Sequence, residues 1–115
     1  MKTVEEIQNG LAQCYGSQSY FKNALLKFQY TEGVHFLWNS CDCYWLLIAI
    51  SSHNRKEPFQ VWNLQKNGDN SALLTMKEDS GLPNIVEQKI PYTDFPLDQI
   101  SLWLIDGVLI LPSEY

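Results

Sequence analysis

Residues 100–111 read Ile-Ser-Leu-Trp-Leu-Ile-Asp-Gly-Val-Leu-Ile-Leu, two apolar arms joined by Asp106 and Gly107. Asp-Gly between such arms is among the strongest short-range hairpin signals, because a type I′ turn needs positive φ at both central residues. Glycine reaches that region freely, and aspartate tolerates it better than most side chains. A two-residue loop pairs Ile105 with Val108, Leu104 with Leu109, Trp103 with Ile110 and Leu102 with Leu111. Alternation then puts Leu102, Leu104, Leu109 and Leu111 on one face and Trp103, Ile105, Val108 and Ile110 on the other. Both faces are apolar, whereas an antiparallel sheet with one wet face alternates apolar and polar residues. Two arrangements satisfy this: helices on both faces, or a face buried by another chain.

The chain has 115 residues, enough for a single core, and reads as one domain, 1–115. Apolar residues make up 45% and charged residues 18%, which places it among globular rather than disordered chains. Charge is uneven. Residues 1–57 hold five basic side chains (Lys2, Lys22, Lys27, Arg55, Lys56) against five acidic ones, and residues 58–115 hold three lysines against eight acids. The net charge of −5 therefore belongs to the C-terminal half. Such a surface repels phosphates, so nucleic acid is not an expected partner. The longest apolar run, Tyr44 to Ile50, falls short of the roughly 20 residues that span a bilayer, and no membrane association is expected. Acids at Glu5 and Glu6 stand where a signal peptide needs an apolar core. Three cysteines, an odd number, suit a reducing cytoplasm better than a disulfide framework.

Thr3 and Glu6 have capping-box spacing, and Val4, Ile7 and Leu11 recur at helical intervals, which predicts a helix over about 3–13 that Gly10 weakens. Tyr20 to Tyr30 is ambiguous, with room for a short strand near Leu25 to Phe28. Thr31 is placed to cap a helix over 32–39, and Asp42 to cap another from Cys43 to about Ser52. From Phe59 the period switches to two. Phe59–Gln65 and Ala72–Lys77 read as strands joined across Asn67 and Gly68 by a two- or four-residue loop. Either length puts Phe59, Val61, Leu74 and Met76 on one face and Trp62, Leu64, Leu73 and Thr75 on the other. Ile85–Ile90 reads as an edge strand, since Glu87 and Lys89 blunt pairing.

Several stretches carry a resemblance: Gly33-Val34 through Trp38, Tyr44-Trp45-Leu46-Leu47, Phe59-Gln60-Val61-Trp62, Ile90-Pro91-Tyr92-Thr93-Asp94-Phe95-Pro96-Leu97 and Leu111-Pro112-Ser113-Glu114-Tyr115. Through them the chain resembles a small family of uncharacterised bacterial domains. The resemblance implies an α+β fold and a bacterial or mobile-element setting. It implies no site, activity or cofactor.

The only cluster of soft ligands is Cys41-Asp42-Cys43, with His35 before it and His53 after it. Zinc wants four N or S donors in a tetrahedron, and a single intervening residue points two thiols apart unless the backbone bends there. A thiol nucleophile needs a depressed pKa, which a helix start and a histidine base would supply. Asp94, Asp98 and Glu87 are the acids available for a carboxylate pair, and no phosphate-binding loop is present. Trp and Tyr anchor protein interfaces, and the two-sided apolar sheet draws attention to Trp62 and Trp103.

The expected fold is α+β: two or three helices near the N-terminus packed on a mainly antiparallel sheet of about five strands from the C-terminal half. The expected function is that of a small cytoplasmic binding module without a cofactor, a regulator or inhibitor rather than an enzyme. It would meet a protein partner or its own copy through Trp62, Trp103, Ile105, Val108 and Ile110. The alternative is a cysteine-based enzyme or zinc-stabilised domain using Cys41, Cys43 and a histidine, His35 or His53.

Overall fold

A computed structural model of the chain describes residues 3–13, 20–54, 56–79 and 81–115. The elements run α1 (Val4–Ala12), β1 (Tyr20–Lys22), β2 (Gln29–Thr31), α2 (Glu32–Cys41), α3 (Tyr44–Ser52), β3 (Phe59–Lys66), β4 (Ala72–Lys77), β5 (Val86–Ile90), β6 (Gln99–Ile105) and β7 (Val108–Ile110), then a 3₁₀ turn at Pro112–Glu114. The architecture is α+β. Among the described residues, seven strands form one sheet in the order β1-β2-β7-β6-β3-β4-β5, antiparallel except where β2 runs parallel to β7.

Local chemistry starts the helices. Thr3 Oγ1 accepts from the Glu6 amide at 3.2 Å, and Glu6 Oε1 accepts from the Thr3 amide at 3.2 Å, a complete capping box. Thr31 caps α2 in the same manner, its hydroxyl accepting from the Val34 amide at 3.3 Å. Asp42 does not cap α3. It ends α2 in the left-handed region (φ 51), and the Cys43 amide reaches back to the Trp38 carbonyl at 3.0 Å. Cys43 precedes α3 without a side-chain cap. Gly10 sits where α1 meets α2, and a Cβ there would run into the Phe36 ring.

The hairpin β6–β7 has the expected register, Ile105 opposite Val108 and Trp103 opposite Ile110, with Asp106 at φ 49 and Gly107 at φ 83. Residues 20–30 behave otherwise than expected. Strands occupy the two ends, β1 and β2, and Asn23 to Phe28 forms the connection, with Asn23 Oδ1 accepting from the Leu25 amide at 2.9 Å. The β3–β4 loop also differs. Lys66 pairs with Ala72, Asn67 N–H bonds the Ser71 carbonyl, and Asn70 is left-handed (φ 66). That leaves three residues in the turn, an odd number, so every β4 side chain lies on the face opposite to the expected one. Trp62, Leu64, Leu74 and Met76 share the buried face.

All three helices lie over that face. Ile7, Val34, Leu37, Leu46, Leu47 and Ile50 meet Tyr30, Trp62, Leu64, Leu74, Met76, Leu102 and Leu109 in one core. The C-terminal turn closes it beside α2. Glu114 Oε1 accepts from Thr31 Oγ1 at 2.6 Å and from the Leu111 amide at 2.9 Å. A Cβ at Gly33 would stand 2.6 Å from that oxygen and 2.8 Å from Leu111 Cδ1. Neither neighbour can yield without breaking a hydrogen bond or moving a buried leucine. We therefore expect Gly33→Ala to cost about 1–3 kcal/mol. Chemical denaturation checks this, and an unchanged midpoint would show the clamp to be slack.

Candidate functional site: the open face of the sheet

Strand register builds this surface. Phe59, Ile105 and Val108 stand in one row across β3, β6 and β7, and Val61, Trp103 and Ile110 stand in the next. All six side chains are half-buried, and none joins the core cluster or packs against it. Trp103 is held by aromatic neighbours: the Phe59 ring lies 5.6 Å from it and the Tyr115 ring meets it edge-on at 5.4 Å. Tyr115 itself is 80% exposed. The next row turns polar. Asn63 Oδ1 accepts from Ser101 Oγ and from Gln99 Nε2, each at 3.1 Å. The face thus divides into an apolar half toward the Asp106–Gly107 turn and a polar half toward Gln65 and Gln99.

Four of the five residues expected at an interface, Trp103, Ile105, Val108 and Ile110, share this face. Trp62 does not. It pairs with Leu102 while Val61 pairs with Trp103, so the two tryptophans project from opposite faces. Trp62 is 1% exposed, its indole N–H donates to Gln60 Oε1 at 2.8 Å, and the His53 ring lies 5.5 Å away. Phe59 and Tyr115 were not singled out in the sequence. Alternation with Val61 marks Phe59, but nothing marks Tyr115, whose place depends on how the chain turns at Pro112.

The soft ligands are not gathered into one site. His35 stacks on Phe21 at 4.5 Å, and His53 Nε2 contacts Gln88 Oε1 at 2.7 Å. Among the described residues no three His, Cys, Asp or Glu side chains converge to hold a metal. The thiols themselves are closer than expected, because the left-handed Asp42 supplies a bend between them. A hydrogen bond from Cys43 holds the Cys41 thiol below its ordinary range, against burial and the Asp42 charge. The same bond, with burial, pushes the Cys43 thiol far up. Cys41 is 1% exposed and Cys43 0%, so no substrate reaches either sulfur without opening the α2–α3 junction.

A second cluster packs against the core beside α2. Trp38 meets His35 edge-on at 5.1 Å and Tyr44 at 5.0 Å. His35 Nδ1, Trp38 Nε1 and the Tyr44 hydroxyl are buried without a hydrogen-bond partner. Desolvation, and then the neighbouring Tyr30, push the Tyr44 hydroxyl up. Of the acids weighed in the sequence, Asp94 and Asp98 are exposed, and Glu87 accepts from Asn84 at 3.0 Å.

One sheet with helices on one side and a bare, half-apolar face on the other defines an α+β domain of open-sheet type. The chain belongs to DUF6876, a family of unknown function, which matches residues 5–115. No curated protein and no solved structure matches it.

The burial of the thiols has a direct readout. We expect Cys41 and Cys43 to resist iodoacetamide at neutral pH in the native protein and to react fully once denatured. Mass spectrometry of the two sites checks this, and rapid native labelling of Cys41 would revive the thiol-enzyme reading.

Proposed function

We propose that this chain is a protein-binding module that works through the apolar half of its open sheet face. The observation that supports the reading is the pair of apolar rows, Phe59–Ile105–Val108 and Val61–Trp103–Ile110, standing outside the core. A wet sheet face carries polar side chains at such positions, and this one does so only from Asn63 onward. Tryptophan and tyrosine at the centre and rim suit an interface, because they bury much area with few rotatable bonds and keep a polar tip.

The charge distribution narrows the partner. Eight acids against three lysines in residues 58–115 favour a protein over a nucleic acid. Among the described residues no helix is long and apolar enough to cross a membrane. A regulator or inhibitor acting in the cytoplasm, in a bacterial or mobile-element setting, is the role we propose. Its mode of action is occupancy rather than chemistry.

The test is Trp103→Glu. The side chain lies outside the core, so the variant should keep its circular dichroism and cooperative unfolding. A centrally placed interface tryptophan contributes about 2 kcal/mol or more, so affinity for any partner held by the wild type should fall by roughly 30-fold or more. A folded variant that binds every wild-type partner undiminished would remove the face from consideration.

A further inference from the structure

The far edge of the sheet carries a separate message. β5 ends the strand order and pairs only with β4. The segment after it leaves across the strand ends, with the Thr93 amide on the Asn70 carbonyl and the Lys66 amide on the Asp98 carbonyl, both at 2.8 Å. It does not run along β5. Among the described residues no backbone hydrogen bond joins the outer edge of Val86–Ile90 to another segment.

The side chains on that edge are Val86, Glu87, Gln88, Lys89 and Ile90. Register sends Glu87 and Lys89 to the open face, both exposed, and Val86, Gln88 and Ile90 to the helix face. This order is palindromic in chemistry about Gln88: apolar ends, opposite charges inside, an amide at the centre.

We propose that β5 is a homodimer edge, where a second copy adds its own β5 antiparallel and the two sheets become one. A two-fold axis normal to the sheet must pass through a residue, since side chains keep their face only when both partners have the same parity. Centred on Glu87, it sets carboxylate against carboxylate. Centred on Lys89, it sets ammonium against ammonium. Centred on Gln88, it pairs Glu87 with Lys89 of the second copy twice and Val86 with Ile90 of the second copy twice. Opposite charges and apolar pairs directly across a strand pair stabilise it, and like charges oppose it.

The flanks agree. Two of the large hydrophobics exposed among the described residues flank this strand: Ile85 at 38% and Tyr92 at 72%. In the Gln88-centred register Ile85 falls opposite Pro91 of the second copy, so an apolar pair closes each end of the seam on the open face. Charges on an edge strand also serve to discourage pairing. That purpose is met by any sign, and a run of one sign meets it best. Alternating signs placed symmetrically about an amide exclude two registers and favour the third. This inference does not rest on the open-face reading, and it leaves Trp103 free.

Sedimentation equilibrium over a wide concentration range tests it. The wild type should dimerise in the micromolar range, more weakly as salt rises, because the charge pairs sit in solvent. Lys89→Glu and Glu87→Lys should each raise the dissociation constant roughly ten-fold or more. The double exchange Glu87→Lys with Lys89→Glu should restore it, since the palindrome returns with its signs reversed. Concentration-dependent amide protection confined to residues 86–90 is a second readout that needs no variant. A wild type that stays monomeric, single variants that dimerise as tightly as it does, or a double exchange that fails to recover would each overturn the proposal. Loss of the dimer in Trp103→Glu but not in Lys89→Glu would do so too, and would place the copies face to face.

Discussion

Backbone pairing between β3 and β6 joins Phe59–Gln65 to Ile105–Gln99 residue by residue, and the rest of the molecule inherits its parity. Because side chains alternate across a strand, one decision sends Trp62, Leu64 and Leu102 inward and Val61, Trp103 and Ile105 outward. The helices then have one face to cover, and with Phe95 and Leu97 they bury its centre. α3, apolar almost all round, lies against the sheet with Leu46, Leu47 and Ile50 while Ile48 remains outside. What is left on the other side, among the described residues, is a face without a helix whose half toward the Asp106–Gly107 turn has core-like composition.

The parts that could be read beforehand are those decided by neighbours in sequence. The Asp106–Gly107 hairpin was legible because its loop chemistry admits one geometry, and that geometry fixes which residues face together. Thr3 and Thr31 announced two helix starts through side-chain oxygens aimed at amides three residues on. Turn parity at 67–71 was not legible, because a left-handed Asn70 leaves no mark that distinguishes a three-residue loop from its even neighbours. That single residue reversed the face of all of β4. β1 and β2 escaped notice for another reason: at three residues each they have too short a pattern, and β2 is held by β7, far along the chain.

The candidate site shows the same division. Trp103, Ile105, Val108 and Ile110 followed from alternation within one hairpin. Separating Trp62 from Trp103 required the pairing between two strands forty residues apart, which no local pattern reveals. At Cys41-Asp42-Cys43 the expectation of diverging thiols rested on a straight backbone, and the left-handed turn at Asp42 bends it. Both thiols end in the interior, Cys43 Sγ within 3.9 Å of the Leu37 carbonyl, where burial denies them access.

The parallel contact between β2 and β7 has a consequence for the order of events in folding. The β1–β2 arm pairs with the sheet through Val108 and Leu109, with the Gln29 amide on the Gly107 carbonyl, and the start of α2 is held by Glu114. Residues 20–31 pair with each other and with α2 locally, but their place in the sheet depends on partners some eighty positions downstream. Contacts of such separation are slow to form, because a long loop must close before they give any return. During synthesis the hairpins β3–β4 and β6–β7 can assemble from local contacts, while the N-terminal arm stays undocked until the last strand has left the ribosome. The arm and the C-terminal turn thus complete one another, since each takes its place only when the other is present.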